Sequence, residues 1–318
     1  MNLIEEAVII ELFGIRMYAF GVYAALGALL AVIVLAVAGR TLGLKKGTVP
    51  LTALLSMICG LLVSRLAFCL LNRELGRLTP LSFWPQLNGG GWSMFGLIAG
   101  VYAGGWISAK IAGEKTGQIL DALSLAVLPM IAAERFGESR IEDFDISRPL
   151  DSTFLNGSFL AVGVDEPCLA TYYVAAAVAI LLFVMLTIRF ARKERDGNLT
   201  IAFLLLFGAA AIVTESLRYD RFLSITFVGL QHVSAAVILC VGVVLAACRY
   251  VSQERNGKGK KGIVPLAFGT VLAAAGIAVG LEFALDRTSW NALLVYAVYI
   301  LVMAVPAVMG ILLLHKTK

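Results

Sequence analysis

The chain has 318 residues, 60% of them hydrophobic and 15% charged, with a formal net charge of +5 and a mean hydropathy of +0.89. Soluble domains carry a charged share of about 25%. So little polar surface cannot cover a globule in water, which excludes a disordered segment, a coiled coil and an ordinary soluble enzyme. Lipid is the solvent, and dividing the chain into spans of about 20 residues gives an all-α, polytopic membrane helical bundle.

Glu5, Glu6 and Glu11 precede the first apolar run. A cleavable signal peptide opens with positive charge, so the first span is expected to stay in the mature protein. Apolar runs predict nine transmembrane helices at 17–39, 48–72, 92–113, 117–133, 168–191, 199–217, 229–248, 262–285 and 291–314. Their continuity excludes the period-two pattern of a barrel. Arg65 interrupts the second span. The third follows Gly89, Gly90 and Gly91 and carries Gly96, Gly100 and Gly104 at a four-residue repeat, a bare helix face that lets a neighbouring backbone or a lipid headgroup come close. Asp121 and Pro129 interrupt the fourth, and Asp121 is expected in its first turn, where negative charge is favoured.

Glu134 and Arg135 close the fourth span and begin the longest connection, 134–167, which holds eight acidic residues and three arginines. Links in a bundle usually run 2–8 residues, so this loop reads either as a cap over an outward cavity or as a solvated acidic segment. Glu215 and Arg218 close the sixth span, and Gln231 with His232 opens the seventh.

Lys and Arg, 26 in all, set the direction of the spans. Sixteen lie in one alternate set of connections, including Lys45, Lys46, Arg192, Lys193 and the 249–261 cluster; nine lie in the other, and Arg65 lies within a span. By the positive-inside rule the N-terminus is outside and the C-terminus cytoplasmic. The positive balance then reflects topology and anionic lipid at the inner surface, and no nucleic acid partner is expected. Cys59, Cys69, Cys168, Cys240 and Cys248 form no CxxC, and His232 and His315 are the two histidines, so neither a disulfide frame nor a metal site is indicated.

Ionisable groups in hydrocarbon cost about 2.5–3.5 kcal/mol each on insertion scales, so they face a cavity or a partner. Arg65, Glu134, Arg135, Glu215, Arg218, Gln231 and His232 all fall in the outer half by this topology. They are expected to share a cavity whose cations suit a lipid phosphate. Each has a plainer role open to it: Arg65 in an ion pair with Glu134 or Glu215, the helix-end charges snorkelling to the interface, His232 hydrogen-bonded between helices.

The order of these motifs resembles the bacterial prolipoprotein diacylglyceryl transferase family over residues 8–250, leaving 251–318 as an extension with two further helices. Phe13-Gly14-Ile15-Arg16-Met17-Tyr18 resembles that family's Ile-Arg-Trp-Tyr entry, and Ser64-Arg65-Leu66 its Gly-Arg-Leu/Ile segment. Residues 90–98 are similar to the glycine-rich opening of its third span. Arg135-Phe136-Gly137, Glu215-Ser216-Leu217-Arg218 and Gly229-Leu230-Gln231 match its later motifs in order.

The resemblance implies a multi-pass enzyme of the bacterial plasma membrane. It would transfer the diacylglyceryl group from phosphatidylglycerol, or a related anionic membrane lipid, to the lipobox cysteine of a prolipoprotein at the outer leaflet, without cofactor or metal. It further implies that Arg135, Glu215 and Tyr18 carry the reaction and that Arg65, Arg218, Gly96, Gly137, Gln231 and His232 bind substrate. Phe95 stands where many members have His, Ala211 where they have Arg, and 138–143 replaces an Asn- and Gly-containing run. These departures motivate two alternatives, a lipid- or peptide-binding membrane protein without transfer and a transferase with a different donor or acceptor. A transporter is weaker, because no internal repeat or pair of matched broken helices is visible.

Overall fold

The computed structural model describes residues 8–12, 15–71, 92–141, 146–149, 158–162, 168–192, 196–218, 224–225, 228–254, 262–287 and 290–315. Among them, nine helices are long and apolar enough to cross a membrane. They are α1 Ala19–Thr41, α2 Thr48–Leu71, α3 Met94–Ala112, α4 Thr116–Glu138, α5 Thr171–Ala191, α6 Asn198–Leu217, α7 Leu230–Glu254, α8 Ile263–Arg287 and α9 Ala292–His315. The expected spans coincide with these helices to within a few residues, with α4 and the end of α7 as exceptions. The α4 helix runs through Pro129 and on to Glu138, so Glu134, Arg135, Gly137 and Glu138 are helical instead of opening the long loop. A proline forfeits one helix hydrogen bond and clashes with the preceding turn, a cost that buried flanking residues such as Leu128 and Ile131 offset here. Asp121 lies in the second turn of α4 and is buried, in place of the first-turn position expected from charge alone.

Short strands sit between the helices. The pair β1 Val8–Leu12 and β2 Ile15–Tyr18 is antiparallel and leads into α1. Strands β3 Ile146–Pro149, β4 Ala161–Val162 and β5 Cys168–Ala170 form an antiparallel sheet in the order β3-β5-β4. The hairpin β6 Ser224–Ile225 and β7 Val228–Gly229 precedes α7. The cap reading of the long loop rests partly on 142–145, 150–157 and 163–167, which lie outside the described residues, as do Phe13, Gly14 and Gly89 to Gly91.

Two compact units result: 1–144 with 222–230, and 145–221 with 231–318. In the first, α1 packs on α4 and α2 on α3, and α3 also touches α4. The glycine face of α3 makes the α2 contact a backbone-to-backbone one. A Cβ on Gly100 would run into the Cys59 carbonyl, one on Gly104 into the Leu55 carbonyl, and one on Gly96 would lie 2.7 Å from Ala67 Cβ. Between lipid-soaked helices such close packing supplies the association energy that water would supply elsewhere. Hydrogen bonds reinforce it: Thr52 and Ser108 hydroxyls meet at 2.7 Å and the Ser56 hydroxyl donates to the Val101 carbonyl at 3.1 Å, while the Tyr102 and Ser124 hydroxyls, 2.7 Å apart, join α3 to α4. Because backbone atoms cannot rotate aside, Gly100→Ala is expected to destabilise the protein by about 1–3 kcal/mol. The melting temperature in detergent reads this out. Gly276→Ala on α8, where a Cβ meets nothing within 4 Å, serves as the neutral control.

In the second unit, α6 is the most enclosed helix. It packs on α5 and α9, and at Gly208 and Gly242 it approaches α7, where added Cβ atoms would meet the Leu239 and Leu205 backbones. The far end of α7 is tied down by Arg249, whose guanidinium donates to Asn198 Oδ1 and, at 2.6 Å, to the Asp196 carbonyl.

Candidate functional site

In the first unit, Arg65 and Arg135 approach the start of α3, where Gly96 lies. Ser93 caps that helix, its hydroxyl accepting from the Gly96 N–H at 3.2 Å, while its own N–H donates to the Ser64 hydroxyl at 3.0 Å. Ser64 in turn donates to the Ser93 carbonyl at 2.8 Å. This reciprocal clip fixes the height of α2 against α3 and so places Arg65, the next residue, beside Trp92. The Arg65 guanidinium carbon lies 5.3 Å from the Trp92 ring centroid, and the side chain is 2% exposed. A cation over an indole face is favourable.

Arg135 approaches the same stretch from α4. Its Nη1 donates to both carboxylate oxygens of Glu138, at 2.9 and 2.8 Å, and its Nη2 donates to Met94 Sδ at 3.1 Å. Arg135 and Glu138 are both buried. For such a pair, attraction and desolvation nearly cancel, so its contribution is orientation more than stability. A thioether is a weak acceptor, so the Met94 contact holds the guanidinium less firmly than Glu138 does. Gly137 faces α1, where a Cβ would stand 3.0 Å from Tyr23 Cβ and 3.2 Å from Phe20. Tyr18 ends β2 and occupies the N-cap position of α1, over one-third exposed.

In the second unit, Glu215 and Arg218 form a buried ion pair of 3.6 Å at the end of α6. Arg218 leaves the helix in an extended conformation and bridges to Ser147 of β3, so the β-sheet fixes the helix exit. His232, in the first turn of α7, stands 3.5 Å from Glu282 on α8, and Gln231 beside it is exposed. Among the described residues, no three His, Cys, Asp or Glu side chains are grouped to hold a metal ion.

The model of the prolipoprotein diacylglyceryl transferase family matches residues 7–252. The chain belongs to this family. It is also 22% identical over 250 residues to the phosphatidylglycerol–prolipoprotein diacylglyceryl transferase of Clostridium tetani (strain Massachusetts / E88), a match covering 75% of this chain and 95% of that protein. As a member of the diacylglyceryl transferase family, the chain is a membrane enzyme of bacterial type, and the nine apolar helices found among its described residues fit that setting.

Three partners in this transferase were not singled out from sequence. Glu138 appears there only as a departure from the family run, yet its distance of three residues from Arg135 is the spacing that also joins Glu215 to Arg218, and helical i,i+3 charge pairing could have found it. Trp92 carried a fainter signal, an aromatic at a span opening. Glu282 had none, since its relation to His232 depends on how α8 returns to α7.

Proposed function

We propose that the protein moves the diacylglyceryl group of phosphatidylglycerol to the lipobox cysteine of a prolipoprotein, at the outer leaflet, with the N-terminus outside and the C-terminus cytoplasmic. In this reaction the cysteine sulfur attacks the glyceryl carbon that bears the phosphate. The S–C bond forms, the C–O bond breaks, and the electron pair leaves with glycerol phosphate. The thiol must lose its proton to be nucleophilic, and the departing phosphate gains negative charge that guanidinium groups stabilise.

The observation that carries this reading is Arg135. It is buried, it is aimed by a two-oxygen contact with Glu138, and its Nη2 reaches Met94 at the opening of α3, a charged donor of the kind a lipid phosphate binds. By the family resemblance Tyr18 and Glu215 would orient the reacting groups, Arg65 would support the headgroup, and Arg218, Gly96, Gly137, Gln231 and His232 would bind substrate.

Reconstitution of the purified protein with labelled phosphatidylglycerol and a lipobox peptide tests this directly. Thioether-linked peptide and released glycerol phosphate are expected in equal amounts. Lipid binding without product, across phosphatidylglycerol and other anionic lipids, would identify the chain as a binder instead.

A further inference from the structure

The family match ends at residue 252, so α8 and α9 lie beyond it. Each nevertheless hands one polar side chain to a motif-bearing helix of the second unit. From α9, the Tyr296 hydroxyl donates to the Ser216 carbonyl at 3.1 Å, inside the Glu215-Ser216-Leu217-Arg218 motif. From α8, the Glu282 carboxylate stands 3.5 Å from His232 at the start of α7. The last carbonyls of a helix have no partner within it, and away from water such a group is costly. The Ser216 carbonyl is one of these, and Tyr296 supplies a donor where the chain is about to leave the helix for Arg218.

Packing gives this contact a rigid base. Tyr299 and Val295, its neighbours on α9, are fully buried, and toward the other end of the same helix Gly310 lies so close to Leu205 of α6 that a Cβ would stand 2.6 Å from it. Held at both ends against α6, α9 works as a splint along it. The α8 helix packs on α9 and brings Glu282 with it.

We propose that α8 and α9 form a brace for the lipid site, with Tyr296 and Glu282 as positioning residues: Tyr296 sets the exit of α6, and with it the Glu215–Arg218 pair, and Glu282 sets His232. The consequence for catalysis rests on Arg218 and His232 serving diacylglyceryl transfer. The bracing itself does not.

The test uses the full chain in lipid nanodiscs, comparing wild type with Tyr296→Phe, Glu282→Gln and the packing variant Met303→Ala on the same helix. Tyr296→Phe keeps the ring and removes the donor. Hydrogen–deuterium exchange of a peptide covering 215–218 is expected to become about fivefold faster, the worth of one hydrogen bond. In the transfer assay, kcat of Tyr296→Phe is expected to fall by a similar factor of about five at unchanged lipid KM. Glu282→Gln is expected to lower kcat less and to leave exchange at 215–218 unaltered. Met303→Ala is expected to lower the melting temperature and leave kcat unchanged. Wild-type exchange at 215–218 in Tyr296→Phe overturns the proposal, as does a loss of kcat in Met303→Ala equal to that in Tyr296→Phe. If wild type transfers no lipid, the reading of function fails while the exchange experiment still decides whether Tyr296 braces α6.

Discussion

Arg135→Gln is expected to lower the rate of diacylglyceryl transfer by about 10²–10³-fold, the usual result of removing one preorganised charge donor from a developing anion. Like any buried carboxylate left without its cation, Glu138 then costs the fold about 3–5 kcal/mol, so the rate is compared in the double variant Arg135→Gln with Glu138→Gln, which buries no lone charge. Arg135→Lys should recover little, because a single ammonium cannot hold both Glu138 oxygens and still reach a third acceptor as the planar guanidinium does. Initial rates of peptide lipidation at saturating phosphatidylglycerol, with melting temperature recorded alongside, check the prediction. Full activity in Arg135→Gln would remove the central support of the proposed function.

Arg218→Gln is expected to be damaging twice over. The buried carboxylate of Glu215 loses the cation 3.6 Å away, and removing one partner of a buried pair typically destabilises a protein by about 3–5 kcal/mol. With Arg218 assigned to substrate by the proposed function, transfer should also fall by about 10²-fold. The double variant Glu215→Gln with Arg218→Gln separates the two effects, since it buries no lone charge. Its melting temperature should return toward wild type while its transfer rate stays low. Recovery of both together would make the pair a structural element with no part in chemistry.

The helices were almost wholly legible in the sequence, because a bilayer demands long apolar runs and punishes breaks in them. The misreadings fell where two local rules competed. Pro129 and the charges from Glu134 to Glu138 look like the end of a span, yet α4 continues because its polar groups are buried with partners instead of facing lipid. The arginines were legible for the same reason that charge is rare in membranes. Their surroundings were not: the place of Trp92 over Arg65, of Met94 at Arg135 and of Glu282 at His232 depends on helix rotation and depth, which a sequence periodicity of small residues only partly encodes.

The enclosure of α6 bears on how the protein is made. One flank of that helix is covered by α9, which leaves the ribosome long after α6 has entered the bilayer. Until it arrives, Leu205 and the Ser216 carbonyl wait without these neighbours, so maturation of α6 in the nascent chain waits for α9. Messages truncated by a stop codon before α9 would therefore yield an immature product open to quality-control proteolysis, even though every family motif had already been translated.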